Sequence, residues 1–253
     1  NCYEPVYNFA NHELKKFGIK SHFFSNNGFK INKLINNKTK VLYIESPGSL
    51  NYEVLDIKEI VKLCKKKKII TIMDNTWSTF LGFNPLEIGV DIVIESLTKY
   101  FSGHSDNFLG LIALSSSKLF RTIKKTSIRL GDFVSSESCF HASKGLKTLK
   151  LRIEKHAINA EKVFNYLETK SIVKKILYLP DEKNKFHKLW KKYHKIGNGL
   201  ITFSIHRKKN INSFIDNLNL FKLGFSWGGY ESLIIPINNL KPTKKLSKKS
   251  EYW

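Results

Sequence analysis

An amine, a carboxylate and two hydroxyls stand where two apolar runs of this chain end. Lys99 follows Asp91-Ile92-Val93-Ile94-Glu95, which reads as a buried strand, within Ser96-Leu97-Thr98-Lys99-Tyr100-Phe101-Ser102-Gly103-His104-Ser105-Asp106. Ser96 and Thr98 sit just before the lysine. Upstream, a second apolar run, Ile69-Ile70-Thr71-Ile72-Met73, ends in Asp74-Asn75-Thr76. An acid and a lysine at the ends of successive strands, with hydroxyls beside the lysine, are what pyridoxal phosphate chemistry needs. The lysine bonds to the cofactor aldehyde, the acid keeps the pyridine nitrogen protonated, and the hydroxyls bind phosphate. Lys99 must be neutral to move a proton, so burial is expected to depress its pKa.

The elements that position these groups follow a β-α-β rhythm. Val41-Leu42-Tyr43-Ile44-Glu45-Ser46 reads as a buried strand stopped by Pro47-Gly48. Asp56 and Glu59 open a helix with capping-box spacing, and Ile57, Ile60, Val61 and Cys64 follow at helical intervals. The helix runs out in Lys65–Lys68, whose charges suit its negative end. Strands at 69–73 and 91–95 and the apolar run Phe108–Leu114 complete an α/β layer with a mostly parallel sheet flanked by helices. Ligands of such sheets sit beyond the carboxyl ends of the strands, where Asp74 and Lys99 fall. Residues 141–168 read as one long helix, with Leu146, Leu149, Ile153, Ala157, Ala160, Val163 and Phe164 on one face. Strands at 172–178 and 200–205 and a helix near 211–217 predict a second, smaller α/β domain. The expected division is 1–143 and 144–253, and the Lys- and Ser-rich tail 241–253 is expected to be poorly ordered.

Composition narrows the class. The chain has 253 residues, 42% of them hydrophobic, enough for a packed core. No apolar run reaches bilayer-spanning length, so no membrane partner is expected. Cys2, Cys64 and Cys139 form no CxxC pair, which argues against a disulfide framework or zinc site and fits a reducing cytoplasm. The net charge of +22 raises the question of a nucleic-acid surface. The lysines are spread along the whole chain without a nucleic-acid motif, so coding bias and solvated faces explain them and no nucleic-acid partner is expected. His104 and Asp106 have a metal-like look but are expected only to shape the loop after Lys99, and no metal is expected. The chain begins at Asn1 and its single methionine is Met73, so it is expected to be a fragment or processed piece.

The same residues carry a family resemblance over nearly the whole chain, from Tyr3-Glu4-Pro5 to about Leu233. Ser-Leu-Thr-Lys-Tyr at 96–100 with Gly-His-Ser-Asp at 103–106 is similar to the lysine motif of the Cys/Met-metabolism (transsulfuration) pyridoxal phosphate enzymes, and Asp74-Asn75-Thr76-Trp77 to their acid motif. Glu45-Ser46-Pro47-Gly48-Ser49 and Ser226-Trp227-Gly228-Gly229-Tyr230-Glu231-Ser232 resemble the cystathionine β-lyase branch; γ-acting relatives usually carry a Thr-Asn-Pro element at the first.

The resemblance implies a fold-type I pyridoxal phosphate transferase-like architecture, and roles for single residues. Lys99 would hold the cofactor and shuttle the proton, Asp74 would pair with the ring nitrogen, and Tyr3 would stack on the ring as a catalytic group. Ser96 and Thr98 would contact phosphate, and Ser226 and Trp227 would line the pocket for a small amino-acid substrate. It also implies a cytoplasmic homo-oligomer, a tetramer built as a dimer of dimers, that cleaves L-cystathionine to homocysteine, pyruvate and ammonia in methionine biosynthesis. The alternatives are γ-lyase, γ-synthase or cysteine desulfhydrase activity, or an inactive fragment. The family's glycine-rich phosphate turn, its upstream Tyr-Arg element and its C-terminal arginine motif have no match here, and residues 132–145 depart from the family pattern. Weak cofactor and substrate binding by this chain is therefore expected.

Overall fold

The structure, a computed structural model, describes residues 2–24, 31–206 and 211–237. In chain order its elements begin with α1 (Glu4–Asn8), α2 (Leu14–Lys16), β1 (Val41–Glu45), α3 (Ile57–Lys66), β2 (Ile70–Asp74), α4 (Thr79–Gly82), β3 (Ile92–Ser96) and β4 (Gly110–Leu114). Then come α5 (Ser117–Arg129), α6 (Ser136–Leu146), α7 (Leu149–Glu168), β5 (Val173–Leu177), α8 (His187–Tyr193), β6 (Thr202–Ile205), α9 (Ile211–Asp216), β7 (Lys222–Leu223) and β8 (Leu233–Ile234). The tail 241–253 lies outside the described residues. Among the described residues no helix is long and apolar enough to cross a membrane.

The main sheet runs β1-β2-β3-β4, with β1, β2 and β3 parallel and β4 antiparallel to β3. Its register decides which groups share a face. Glu45 pairs with Asp74 and Asp74 with Ile94. Side chains alternate along a strand, so Tyr43, Glu45, Asp74 and Ser96 share one face. The opposite face carries Leu42, Ile44, Met73 and Val93, which pack with Ile57, Ile60, Val61 and Cys64 of α3 in the largest core cluster. Helix α3 starts as expected: the Asp56 carboxylate accepts from Glu59 N–H at 3.4 Å. Strands β2 and β3 begin one residue later than their apolar runs. Ile69 N–H still bonds to Cys64 O at the helix end, and the Asp91 carboxylate accepts from Thr71 N–H and Thr71 Oγ1, each at 2.8 Å.

The single helix expected over 141–168 is a pair, α6 and α7, broken at Lys147-Thr148. There Lys147 and Thr148 N–H turn back to the Lys144 and Gly145 carbonyls. The cause is tertiary. Gly145 presses on the loop after Lys99 so closely that a Cβ would lie 2.4 Å from Phe101 O. Its carbonyl accepts from Arg152 Nη2 at 2.7 Å. Of the expected face, Leu149, Ile153, Ala160 and Phe164 are buried, whereas Leu146 at the break is 44% exposed. Strands β5 and β6 form an antiparallel pair beyond α7. The two-residue strands β7 and β8 close the base of the loop that carries Ser226 and Trp227.

Candidate active site

Lys99 sits in a turn directly after β3, its N–H bonded to Ser96 O at 3.2 Å. Thr98 clips that turn to the start of β4: its hydroxyl accepts from Leu109 N–H at 3.0 Å and faces Leu109 O at 3.4 Å. The Lys99 ammonium donates to Ser226 Oγ at 3.0 Å and lies 5.2 Å from the centre of the Trp227 ring. Burial holds its pKa below the usual lysine value, as a proton-shuttling amine requires. Trp227 packs on Tyr100, ring centres 5.3 Å apart, and Tyr100 is almost wholly buried. The chain therefore brings Lys99, Ser226 and Trp227 together across a long sequence separation.

Beneath this loop lies a residue that sequence reasoning missed. Arg152 of α7 donates from Nη1 to Tyr100 O at 2.6 Å and from Nη2 to Phe101 O at 3.0 Å, while Nε bonds Thr148 Oγ1 at 2.9 Å. Gly103, at φ +67°, leaves room for it: a Cβ there would meet Nη1 at 1.9 Å. The available signal was rarity, since Arg152 is one of only four arginines among 43 basic residues. His104 and Asp106 fix the next turn, through Nδ1 to Ser102 O at 2.6 Å and through Asp106 to His141 at 3.2 Å. Among the described residues no group of three or more His, Cys, Asp or Glu could hold a metal ion.

The acid side gathers at the ends of β1 and β2. Asp74 Oδ1 accepts from Thr76 N–H at 2.9 Å and Oδ2 from the Tyr43 hydroxyl at 3.3 Å. Thr76 Oγ1 in turn accepts from Ser96 N–H at 2.8 Å, tying the acid strand to the strand that leads to Lys99. Tyr3 arrives at the same edge: its N–H donates to Glu45 Oε2 at 2.7 Å, and its side chain is 55% exposed. Burial raises the Asp74 pKa. Burial, and then the neighbouring Asp74 charge, push Glu45 up to about 8. Glu95, on the core face, is pushed up to about 7, chiefly by burial, although Asn75 Nδ2 donates to it at 2.9 Å. Glu45 and Glu95 were not singled out from the sequence; each ends an apolar run, and that was the available signal.

Among the described residues no Lys, Arg or His forms an ion pair with Asp74 or Glu95. A half-buried carboxylate crowded by like charge and short of a cation suits a protonated ring nitrogen at Asp74, so the residues present fit pyridoxal phosphate at its pyridine end.

The crowding has a measurable consequence. An acid whose folded pKa exceeds its unfolded value binds more protons folded than unfolded, so stability falls as pH rises between the two values. For Glu45 that window runs from the ordinary 4.5 to about 8. The chain is expected to lose about 1–2 kcal/mol of stability between these limits, allowing for partial solvation of the group. Glu45→Gln should remove much of that slope. Urea unfolding at a series of pH values checks this, and a slope unchanged in the variant would exclude Glu45 as its source.

Comparison with known proteins agrees with this geometry. Residues 1–250 match the profile of the Cys/Met metabolism PLP-dependent enzymes. The chain is 36% identical over 241 residues to L-alanine/L-glutamate racemase of Wolbachia pipientis wMel, covering 94% of this chain and 59% of that protein. It is 32% identical over 240 residues to cystathionine beta-lyase of Escherichia coli K12, covering 92% and 60%. Among solved structures it superposes on cystathionine gamma-lyase from Lactobacillus plantarum complexed with L-serine, with a TM-score of 0.88 at 29% identity, covering 92% of this chain and 61% of that one. The chain thus spans about three-fifths of the length of these relatives. With a lysine, an acid and a neighbouring serine and tryptophan set as described, and the family profile matched over residues 1–250, the chain belongs to the Cys/Met metabolism family of pyridoxal 5'-phosphate-dependent enzymes.

Proposed function

We propose that this chain forms part of a carbon–sulfur β-lyase that cleaves L-cystathionine to homocysteine, pyruvate and ammonia, within methionine biosynthesis. The observation that carries this reading is the lysine pocket: Lys99 Nζ hydrogen-bonded to Ser226 beside the Trp227 ring, in the Ser-Trp-Gly-Gly loop that resembles the β-lyase branch. Lys99 would anchor the cofactor, Asp74 would keep its ring nitrogen protonated, and Tyr3 would stack on the ring. Ser96 and Thr98 would contact the phosphate, Thr98 by giving up its long 3.4 Å bond to Leu109 O. When bound, the cofactor accepts the electron pair left at the substrate Cα as its proton departs.

The rest is the work of this chain's own groups. Neutral Lys99 Nζ takes the Cα proton, a step that general-base help typically speeds by ~10²–10⁴-fold. Burial of the amine favours the neutral form at working pH. Ser226 Oγ holds Nζ in one position, and the Trp227 ring excludes water from one side of it. The chain assembles as a homo-oligomer in the cytoplasm, a tetramer made as a dimer of dimers. The exposed Phe108, Phe133 and Phe225, at 92%, 86% and 81%, support burial against further chain.

A second reading is favoured by the racemase relative at 36% identity. Both reactions begin with the same proton at Cα; a racemase returns it to the opposite face instead of expelling a β-substituent. Incubation with L-cystathionine separates the outcomes. Pyruvate with homocysteine supports the β-lyase, and 2-oxobutyrate with cysteine identifies a γ-lyase. No keto acid, together with appearance of the D-isomer from L-alanine or L-glutamate, identifies a racemase.

A further inference from the structure

The loop carrying Ser226 and Trp227 is not held against Lys99 by those two residues alone. Gly228, at φ +85°, brings its backbone so close that a Cβ would lie 2.7 Å from Tyr100 N and 3.0 Å from Lys99 C. Gly229 is equally tight: a Cβ there would stand 2.2 Å from Ser105 Oγ and 2.6 Å from Glu231 Oε2. The Glu231 carboxylate thus folds back across Gly229 and accepts from Ser105 Oγ at 2.6 Å. Ser105 reaches it from the left-handed region, at φ +58°, which a non-glycine residue adopts only at some cost in strain. A short bond from a hydroxyl to a carboxylate is charge-assisted and is stronger than a neutral pair. Both ends of this contact lie outside the groups assigned to cofactor or substrate above.

We propose that Glu231 is a positioning residue, whose bond to Ser105 latches the 226–231 segment onto the loop that carries Lys99. The latch rests on the reading of Lys99, Ser226 and Trp227 as the reactive pocket. It acts through Ser226 and Trp227: with it closed, the Ser226 hydroxyl stays at Lys99 Nζ and the Trp227 ring stays on Tyr100. With it open, the segment keeps its β7–β8 base, where Lys222 N–H bonds Ser232 O at 2.9 Å, and the Ser226 and Trp227 contacts must hold its tip without the Glu231 bond.

The test uses the full chain and reads acrylamide quenching of Trp227, taken as the difference between each protein and its Trp227→Phe counterpart. Glu231→Ala and Ser105→Ala should each raise the quenching constant about threefold, the low end of the net worth of one lost hydrogen bond, as suits an exposed contact. Glu231→Gln keeps an oxygen that accepts the Ser105 proton but loses the charge, so its quenching constant should fall between those of the parent and Glu231→Ala. The double variant Ser105→Ala/Glu231→Ala should be no worse than either single one. In the active protein, Glu231→Ala should raise KM for the amino-acid substrate more than it lowers kcat. Parental quenching in Glu231→Ala, or strictly additive effects in the double variant, would overturn the latch. Because both side chains are exposed, the variants should unfold at the parental temperature, and thermal melts verify this. Borohydride labelling is run alongside on the parent: label absent from Lys99 removes the pocket reading, whereas the quenching series alone decides whether the two loops are latched.

Discussion

Lys99→Ala is expected to eliminate covalent cofactor attachment and to lower amino-acid turnover by about 10⁴-fold or more. The side chain makes one hydrogen bond, to Ser226, and its removal leaves the Thr98–Leu109 clip and the Arg152 contacts below the loop intact, so the fold should survive. The loss is therefore chemical. Lys99→Arg should be as inactive, because a guanidinium stays protonated and can neither bond to an aldehyde nor accept a proton. Borohydride reduction of the loaded parent followed by peptide mapping should find the pyridoxyl label on Lys99. Label on a different lysine, or near-parental turnover in the alanine variant, would remove Lys99 from the mechanism.

Asp74→Asn should keep the fold and much of the cofactor yet lose about 10²–10³-fold in rate, the scale of losing one preorganised electrostatic partner. A neutral amide cannot keep the ring nitrogen protonated, and an unprotonated ring is a poor electron acceptor. The substitution has a second signature that activity does not share. Glu45 lies beside Asp74 in the β1–β2 register, and the Asp74 charge is a cause, after burial, of its raised pKa. Neutralising Asp74 should lower the Glu45 pKa and narrow the pH window over which stability falls. Turnover close to parental with the pH slope unaltered would show that Asp74 is neither the ring partner nor the source of the crowding.

The strand ends were readable because one buried and one half-buried face still give a mostly apolar run, and the residues that terminate such runs, Asp74 and Ser96, stand out by type. Helix α3 was readable because its cap and its periodic face agree. What escaped was every feature set by a distant contact. The α6–α7 break depends on Gly145 meeting Phe101 O, which no local period encodes. Glu45 matters because parallel register sets its carboxyl beside Asp74, and Glu95 because the fold buries it; neither register nor burial of a single acid is visible in one sequence. Ser226 and Trp227 were assigned through family likeness, and their juxtaposition with Lys99 came only with the fold. Tyr3 was placed near the acid end through its backbone alone, bonded to Glu45 rather than to Asp74.

Arg152 marks a boundary on how this sequence can drift. Elsewhere the chain has settled on lysine for nearly all its positive charges, 43 Lys+Arg residues including only four arginines, and at a solvated surface that exchange is close to neutral. Under α7 it is not. One planar fork reaches the carbonyls of Tyr100, Phe101 and Gly145 at once, and its Nε reaches Thr148 as well. A lysine ammonium is a point with three donors and no fixed plane, and it cannot span that set. A lineage under pressure to replace arginine codons would therefore meet resistance here first, and a chain in which this position had become lysine would be one whose reactive loop was no longer under selection.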